Sequence, residues 1–446
     1  MKSLVFLLFT LAFTTLKAES CLKELDKVLV EYTLDPHKSD IKNFQRNGQS
    51  LLNHSFNERI KLHNSLPELS DECRVKMKEV FLRMREREDY IGAHFYTAPQ
   101  IPADSIEYKK VPLPIYEPKA YSPFHLTNKT EPFEFKSGDI LITKGISFTS
   151  STISEVTTTR SLFSHIVFIY VDEKTKKVYT LESYIGYGVK IFSIEEALRN
   201  ENARILVLRM KDQKAAATAA SYMYEKIERL KKEGKVIPYD YDLNFEDNTK
   251  LSCEEIAYEA FKETSQGKII IPENKSVVLL KDKKFLKKIG IKPGSLMLPA
   301  DMEIDSRFNI VLDWTDYKII RDSKRKDAVI GEMFYWMNEH NYKIHHSLRS
   351  VGARIVWSTR YIPGLWHLMS ALVGIPSDYK KDVPPVAVAT LEGLKSIAGK
   401  MLEFTSLADE EFQRQNNRWL TSTELRQTID TYLQNHKRDL INSFHD

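Results

Sequence analysis

Apolar residues recur along this chain with two periods, and the change from one to the other divides it. Between Leu22 and Tyr96, residues Leu51, Leu52, Phe56, Ile60 and Leu62 follow a repeat close to the helical one, with few Gly or Pro interruptions. That pattern predicts helical hairpins. From Ala98 to Pro132, prolines at 99, 102, 112, 114, 118, 123 and 132 punctuate the chain. Proline fixes φ and removes a donor, so this stretch reads as an extended connector, neither regular helix nor central strand.

After the connector the period drops to two. Ile140–Thr143 reads as a strand, His165–Val171 and Lys177–Glu182 as a hairpin turning at Asp172–Thr175, and Val189–Phe192 and Arg204–Met210 as further strands. Ser193 and Glu196 have capping-box spacing and open a short helix at Ile194; Asp212 caps a long helix, Gln213 to Glu233, which Gly234 stops. Helical patterns return beyond Asp305. The expected organisation is a leader (1–20), a helical N-terminal region (21–97), the connector (98–132), an α+β domain (133–305) and a helical C-terminal region (306–446).

Composition narrows the function. With 446 residues, 42% of them hydrophobic and only 16 Gly and 17 Pro, wholesale disorder is excluded. A formal charge of +4 carries no global nucleic-acid signature, so no nucleic-acid partner is expected. Lys2, the apolar run Leu4–Leu16 and Ala18-Glu19-Ser20 read as a cleavable export signal, which implies a periplasmic or secreted protein. Arg360, Pro363 and Gly364 interrupt the apolar region Ile355–Ile375, so no transmembrane span is expected after signal removal. In an oxidising compartment three cysteines leave one unpaired; Cys21 and Cys73 are expected to pair and Cys253 to stay free. The tryptophans at 314, 336, 357, 366 and 419 are read as core packing, and the Lys281–Lys288 run as a solvated face.

Chemistry concentrates around Cys253. Ser252 and Glu255 have capping-box spacing, and Leu251 with Ile256 has that of a hydrophobic staple, which together put Cys253 at the first position of a helix. Helix N-terminal N–H groups favour a thiolate, whereas Glu254 and Glu255 oppose it, so a cationic partner is wanted. His165 begins an apolar strand, and a symmetric hairpin closed by Asp172 and Thr175 sets it opposite Glu182. A thiol, an imidazole base and an orienting carboxylate are the parts of a nucleophilic triad. No G-x-S-x-G, H-E-x-x-H or phosphate-loop motif occurs, and His340, His345 and His346 are read as surface or interface residues; neither cofactor nor metal is expected.

Gly138-Asp139-Ile140, Ser164-His165, Leu181-Glu182-Ser183, Tyr239-Asp240-Tyr241-Asp242, Ser252-Cys253-Glu254-Glu255-Ile256 and Lys292-Pro293-Gly294-Ser295-Leu296 follow one another in this order. The series resembles the motifs of the YaeF/YiiX group, which are circularly permuted, NlpC-type, papain-like cysteine hydrolases. The similarity covers residues 133–304, and the flanking helical regions match none of its motifs. It implies a permuted papain-like core with Cys253 as nucleophile, His165 as base, Glu182 as orienting group, and Tyr239 and Tyr241 lining the pocket. With export, it implies amide hydrolysis in cell-wall-derived or other short peptides. Acyl-lipid hydrolysis or transfer on the same fold, and a non-catalytic wall-binding scaffold, are the alternatives. Carboxylates in Tyr239-Asp240-Tyr241-Asp242 suit a cationic group, so a free amine near the scissile bond is expected.

Overall fold

Period-two segments become the strands of one antiparallel sheet. The computed structural model describes residues 21–35, 40–96, 124–126, 133–198, 202–288, 291, 294–344, 360, 385–436 and 444–445. The strands are β1 (Phe124–Leu126), β2 (Ile140–Gly145), β3 (His165–Val171), β4 (Val178–Tyr184), β5 (Gly188–Ser193) and β6 (Asn202–Met210). A two-residue ladder, β7 (Ser276–Val277) with β8 (Ser295–Leu296), stands apart, and β9 (Phe308–Thr315) returns to the sheet. The order is β1-β9-β6-β2-β3-β4-β5, and every neighbouring pair is antiparallel. The fold class is therefore α+β.

Both sheet faces are covered, which is why several strands are nearly all apolar. Ile140, Ile142, Ile166, Phe168 and Leu181 pack against helices α6 (Gln213–Lys232) and α7 (Cys253–Thr264). Leu141, Val167, Ile169, Val207 and Trp314 cluster on the other face with Ile194 and Leu198 of α5 (Ile194–Leu198). The capping box before α5 forms in both directions: Ser193 N–H donates to Glu196 Oε2 (2.9 Å) and Glu196 N–H to Ser193 Oγ (3.2 Å).

Of the N-terminal helices α1 (residues 21–32), α2 (Ile41–Asn64) and α3 (Asp71–Phe95), the last two are tied to the rest of the fold by buried charges. Arg59 of α2 donates to Asp313 of β9 (2.7 Å) and to Glu88 of α3 (3.1 Å). Arg85 of α3 donates to Glu303 of α9 (Pro299–Glu303) at 2.6 Å, and Arg204 of β6 pairs with Asp89 of α3. Such pairs tolerate the interior only when both partners remain. A disulfide links Cys21 to Cys73 with Cα atoms 6.4 Å apart, and Cys253 is a free thiol, as the odd count anticipates.

Two differences from the sequence reading concern the flanks. The chain after Asp305 is not wholly helical: β9 lies between β6 and β1, with Phe308 and Ile310 buried on the α6–α7 face and, past a bulge, Leu312 and Trp314 on the other, so the sheet continues past residue 305. Of the connector 98–132, only β1 and none of the prolines is described, and the leader 1–20 lies outside the described residues. Beyond β9, α10 (Ile319–Glu339), α11 (Pro385–Asn416) and α12 (Ser422–Asn435) surround a core containing Val329, Met333, Trp336, Met401 and Ile429. Trp314 and Trp336 are buried, whereas Trp357, Trp366, His345 and His346 lie outside the described residues. Lys281, Lys283, Lys284 and Lys287 are solvated on and beside α8 (Lys283–Lys288).

Candidate active site

The start of α7 is held from both sides. Ser183 Oγ of β4 donates to Leu251 O (2.6 Å), and Leu251 N–H donates to Pro238 O (3.0 Å). At the cap itself, Ser252 N–H donates to Glu255 Oε2 (2.7 Å), while Ser252 Oγ is buried without a hydrogen-bond partner. Leu251 and Ile256 enter the same core, so Cys253 occupies the first helical position and is buried. Burial is the main influence holding its thiol well above the usual range; Glu254 adds to it, and a hydrogen bond from the Ile166 N–H opposes it. Burial likewise raises Glu254, and raises Glu255 to about 8. Burial, reinforced by Glu254, therefore outweighs the helix terminus, and the thiol rests protonated.

The β3–β4 hairpin is longer-looped than its symmetric reading. Asp172 N–H donates to Lys177 O (2.9 Å), and the ladder pairs Val171 with Val178 and Phe168 with Leu181. Glu182 is thus not opposite His165; the register moves by two residues, which preserves the face each side chain occupies. His165 still reaches Glu182 diagonally, Nε2 to Oε2 at 3.0 Å. Glu182 is buried, and its oxygens also accept from Thr180 Oγ1 (Oε1, 2.6 Å) and Tyr184 Oη (Oε2, 2.6 Å). The Tyr184 ring stacks on His165 with centroids 5.0 Å apart. Engagement of Nε2 leaves Nδ1 as the nitrogen available for proton transfer.

A closed hydrogen-bond ring braces the segment before His165. Gly145 N–H donates to Ser164 Oγ (3.3 Å), the Ser164 and Ser150 hydroxyls meet at 2.6 Å, and Ser150 Oγ donates to Gly145 O (2.6 Å). Ser150 lies on α4 (Phe148–Glu155). Sequence reasoning did not assign Ser150, Thr180 or Tyr184; the period of two does place Thr180 and Tyr184 on the face of Glu182.

Cys253, His165, Glu182 and Tyr239 line one cavity of about 460 Å³. Among the described residues no hydrogen bond joins Cys253 to His165. Asp240 and Tyr241 do not line this cavity. The buried Asp240 carboxylate accepts the N–H groups of Asp242 (2.9 Å) and Asn244 (2.5 Å), so it folds its own loop. Tyr241 Oη accepts the Gly186 N–H (3.1 Å), and its ring supports that of Tyr239 at 5.0 Å. Burial, reinforced by Cys253 and Glu254, pushes the Tyr239 hydroxyl well up, so it remains a donor.

A smaller cavity of about 60 Å³ lies among α3, α10 and the start of α12. Its cations are engaged, Arg83 with Glu86, Lys324 with Asp89 and Arg321 with Asp409. Among the described residues no cluster of three or more His, Cys, Asp or Glu is arranged to hold a metal, and no helix is long and apolar enough to cross a membrane. Compared with family models, curated proteins and solved structures, the chain matches none.

Proposed function

We propose that this chain is an exported cysteine hydrolase of amide bonds, built on a permuted papain-like core and acting through Cys253, His165 and Glu182. The observation that carries the reading is the shared cavity: the free thiol at a helix N-terminus opens into the same space as an imidazole already paired with a buried carboxylate. The disulfide between Cys21 and Cys73 supports an oxidising compartment and hence export.

Because the thiol rests protonated, the sulfur becomes nucleophilic as its proton leaves. His165 Nδ1 takes the proton from Cys253 Sγ as sulfur attacks the substrate carbonyl, and Glu182 holds the imidazole through Nε2. The Cys253 backbone N–H and the Tyr239 hydroxyl are the donors for the developing oxyanion. His165 returns the proton to the leaving amine, giving a thioester on Cys253. Water, deprotonated by His165, then releases the acid and restores the thiol.

Cell-wall-derived and other short peptides are the proposed substrates. Acyl-lipid hydrolysis is the second reading, and the apolar residues Leu141, Val167 and Leu198 on the cavity wall favour it. The mature protein is to be incubated with peptidoglycan fragments and, separately, lipid extract, with products read by mass. New amines from the fragments support the amidase; free fatty acids alone support the lipid reading. Neither product, in a folded protein, supports the scaffold alternative.

A further inference from the structure

The cavity wall from Gly145 to Ile153 is held from behind by helices that lie beyond the residues resembling a known family. Pairing of β2 with β6 is interrupted by a bulge between Lys144 and Gly145, where the chain leaves the sheet for α4. Ser323, Lys326 and Asp327 share one face of α10 and meet the three residues of this turn. Asp327 Oδ1 accepts from the buried Lys144 Nζ (2.7 Å), which also donates to Ser154 Oγ of α4 (2.6 Å). Lys326 Nζ donates to Ile146 O (2.7 Å), and Ser323 Oγ to Gly145 O (3.5 Å). Gly145 O is the same acceptor that Ser150 Oγ uses in the ring reaching Ser164, the neighbour of His165.

Helix α4 has the cavity on one side and the C-terminal core on the other. Ser147, Thr149, Ser150 and Ile153 reach the cavity, while Phe148, Ile153 and Val156 belong to the core that holds Ile330 and Met333 of α10. Its far end is tied as well, since Arg426 of α12 donates to Glu155 Oε2 (2.7 Å). Helix α10 is anchored in turn: Lys324 pairs with Asp89 of α3 (3.0 Å), and Arg325 with Asp409 of α11 (2.9 Å).

We infer that α10 is part of the catalytic apparatus, with Lys326 and Asp327 as positioning residues that set the turn after β2, the Ser150–Ser164 ring and, through that ring, the placement of His165 against Cys253. The effect on turnover rests on the hydrolase reading; the effect on the wall does not. Neither side chain lines the cavity, so their loss should act on rate and spare substrate binding. A displacement of about 1 Å in a reacting group costs up to roughly a hundredfold in rate. Loss of one charge-assisted bond from Lys326, with the Asp327–Lys144 pair intact, should take roughly a tenfold share of that.

The test compares full-length mature wild type, Lys326→Met, Lys326→Arg and, at an exposed position of α10, Asp322→Asn. Amide hydrogen exchange is read by mass over residues 144–153 and 162–167, beside urea unfolding and steady-state hydrolysis of phenyl thioacetate. In Lys326→Met, exchange over both segments should quicken by at least roughly tenfold at an unchanged unfolding midpoint. Its kcat should fall by roughly tenfold and its KM stay within about twofold. Lys326→Arg, which can still donate to Ile146 O, should restore both, and Asp322→Asn should move neither. Asp327→Asn, which keeps an acceptor for Lys144, serves if Lys326→Met does not fold, with the same directions expected. Unchanged exchange, faster exchange with wild-type kcat, a change in KM alone, or a loss that Lys326→Arg does not restore overturns the inference. Absence of turnover in wild type would sink the hydrolase reading instead, and exchange would then decide whether α10 sets the wall: faster exchange supports that placement, and unchanged exchange overturns it.

Discussion

His165 Nε2 lies 3.0 Å from Glu182 Oε2 although the hairpin register does not pair the two residues. Continuation of the Phe168–Leu181 pairing brings Tyr184 opposite His165, and the Tyr184 ring stacks there while its hydroxyl donates to Glu182 Oε2. The imidazole, the carboxylate and the aromatic ring thus form one unit. Glu182→Gln should lower kcat/KM by roughly a hundredfold, because an amide cannot stabilise the imidazolium that forms. Tyr184→Phe keeps the ring and removes one hydrogen bond, with an expected loss of roughly fivefold. Steady-state kinetics on both variants checks the order; an equal or larger loss in Tyr184→Phe would contradict it.

Thiol reactivity should follow its surroundings rather than its helix. Burial and Glu254 hold Cys253 well above 9.0, so iodoacetamide labelling should be slow at neutral pH and reach its half-maximal rate only in alkaline solution. Glu254→Gln removes the nearest negative charge and should move that midpoint down. Mass-monitored labelling across pH reads both. A wild-type midpoint below neutrality would mean a standing thiolate–imidazolium pair and contradict proton transfer during attack.

Asp240→Asn should cost stability rather than substrate affinity. Its carboxylate accepts two backbone N–H groups in a buried loop, and an amide offers one acceptor in place of two. The expected destabilisation is about 1–3 kcal/mol, with KM for a cationic peptide unchanged. Urea unfolding beside steady-state kinetics distinguishes the two effects. A large rise in KM for cationic peptides alone would return Asp240 to the cavity wall.

Acid should destabilise the N-terminal helices through two histidines. His94 accepts the Trp419 N–H at Nε2 (3.3 Å) and faces Tyr90 O through Nδ1 (2.7 Å), an arrangement that requires the neutral ring. Burial lowers His94, and lowers buried His63, to about 4 from 6.5. The unfolded chain therefore binds more protons between those values, and stability present above about 6.5 is lost as pH falls through about 4. Each histidine contributes on the order of 3 kcal/mol across the window. Glu255 acts oppositely: raised from 4.5 to about 8, it makes stability fall as pH rises between them. Denaturation midpoints should flatten between about 4 and 6.5 in His63→Phe and between 4.5 and about 8 in Glu255→Gln. An unchanged slope in either variant would refute that assignment.

Local chemistry made much of this legible. The β-branched run His165–Val171 became β3, and the spacing of Ser252 and Glu255 located the start of α7, because strand period and helix caps are decided by neighbours in sequence. The hairpin register was not legible. Its loop closes at Lys177 with Lys176 in the left-handed region (φ 59°), a choice open to several turn types. Since the error was two residues, His165 and Glu182 kept a common face and still met. Long-range electrostatics left no such trace. Arg59 and Asp313 are partners across 254 positions, and nothing in either neighbourhood announces the other. Asp240 was misjudged for a related reason: sequence shows a carboxylate beside tyrosines, and only the folded loop shows that backbone N–H groups have taken it.

Whether Cys253 is a nucleophile served by His165 is decided by trapping the acyl-enzyme. Wild-type, Cys253→Ala and His165→Ala proteins, each verified as folded, are mixed with a reactive thioester or N-acyl amide, quenched in acid and mapped by peptide mass. The expected result is the acyl group on Cys253 in wild type, none in Cys253→Ala, and formation slowed by at least roughly a hundredfold in His165→Ala. Full acylation and turnover in Cys253→Ala would contradict it outright.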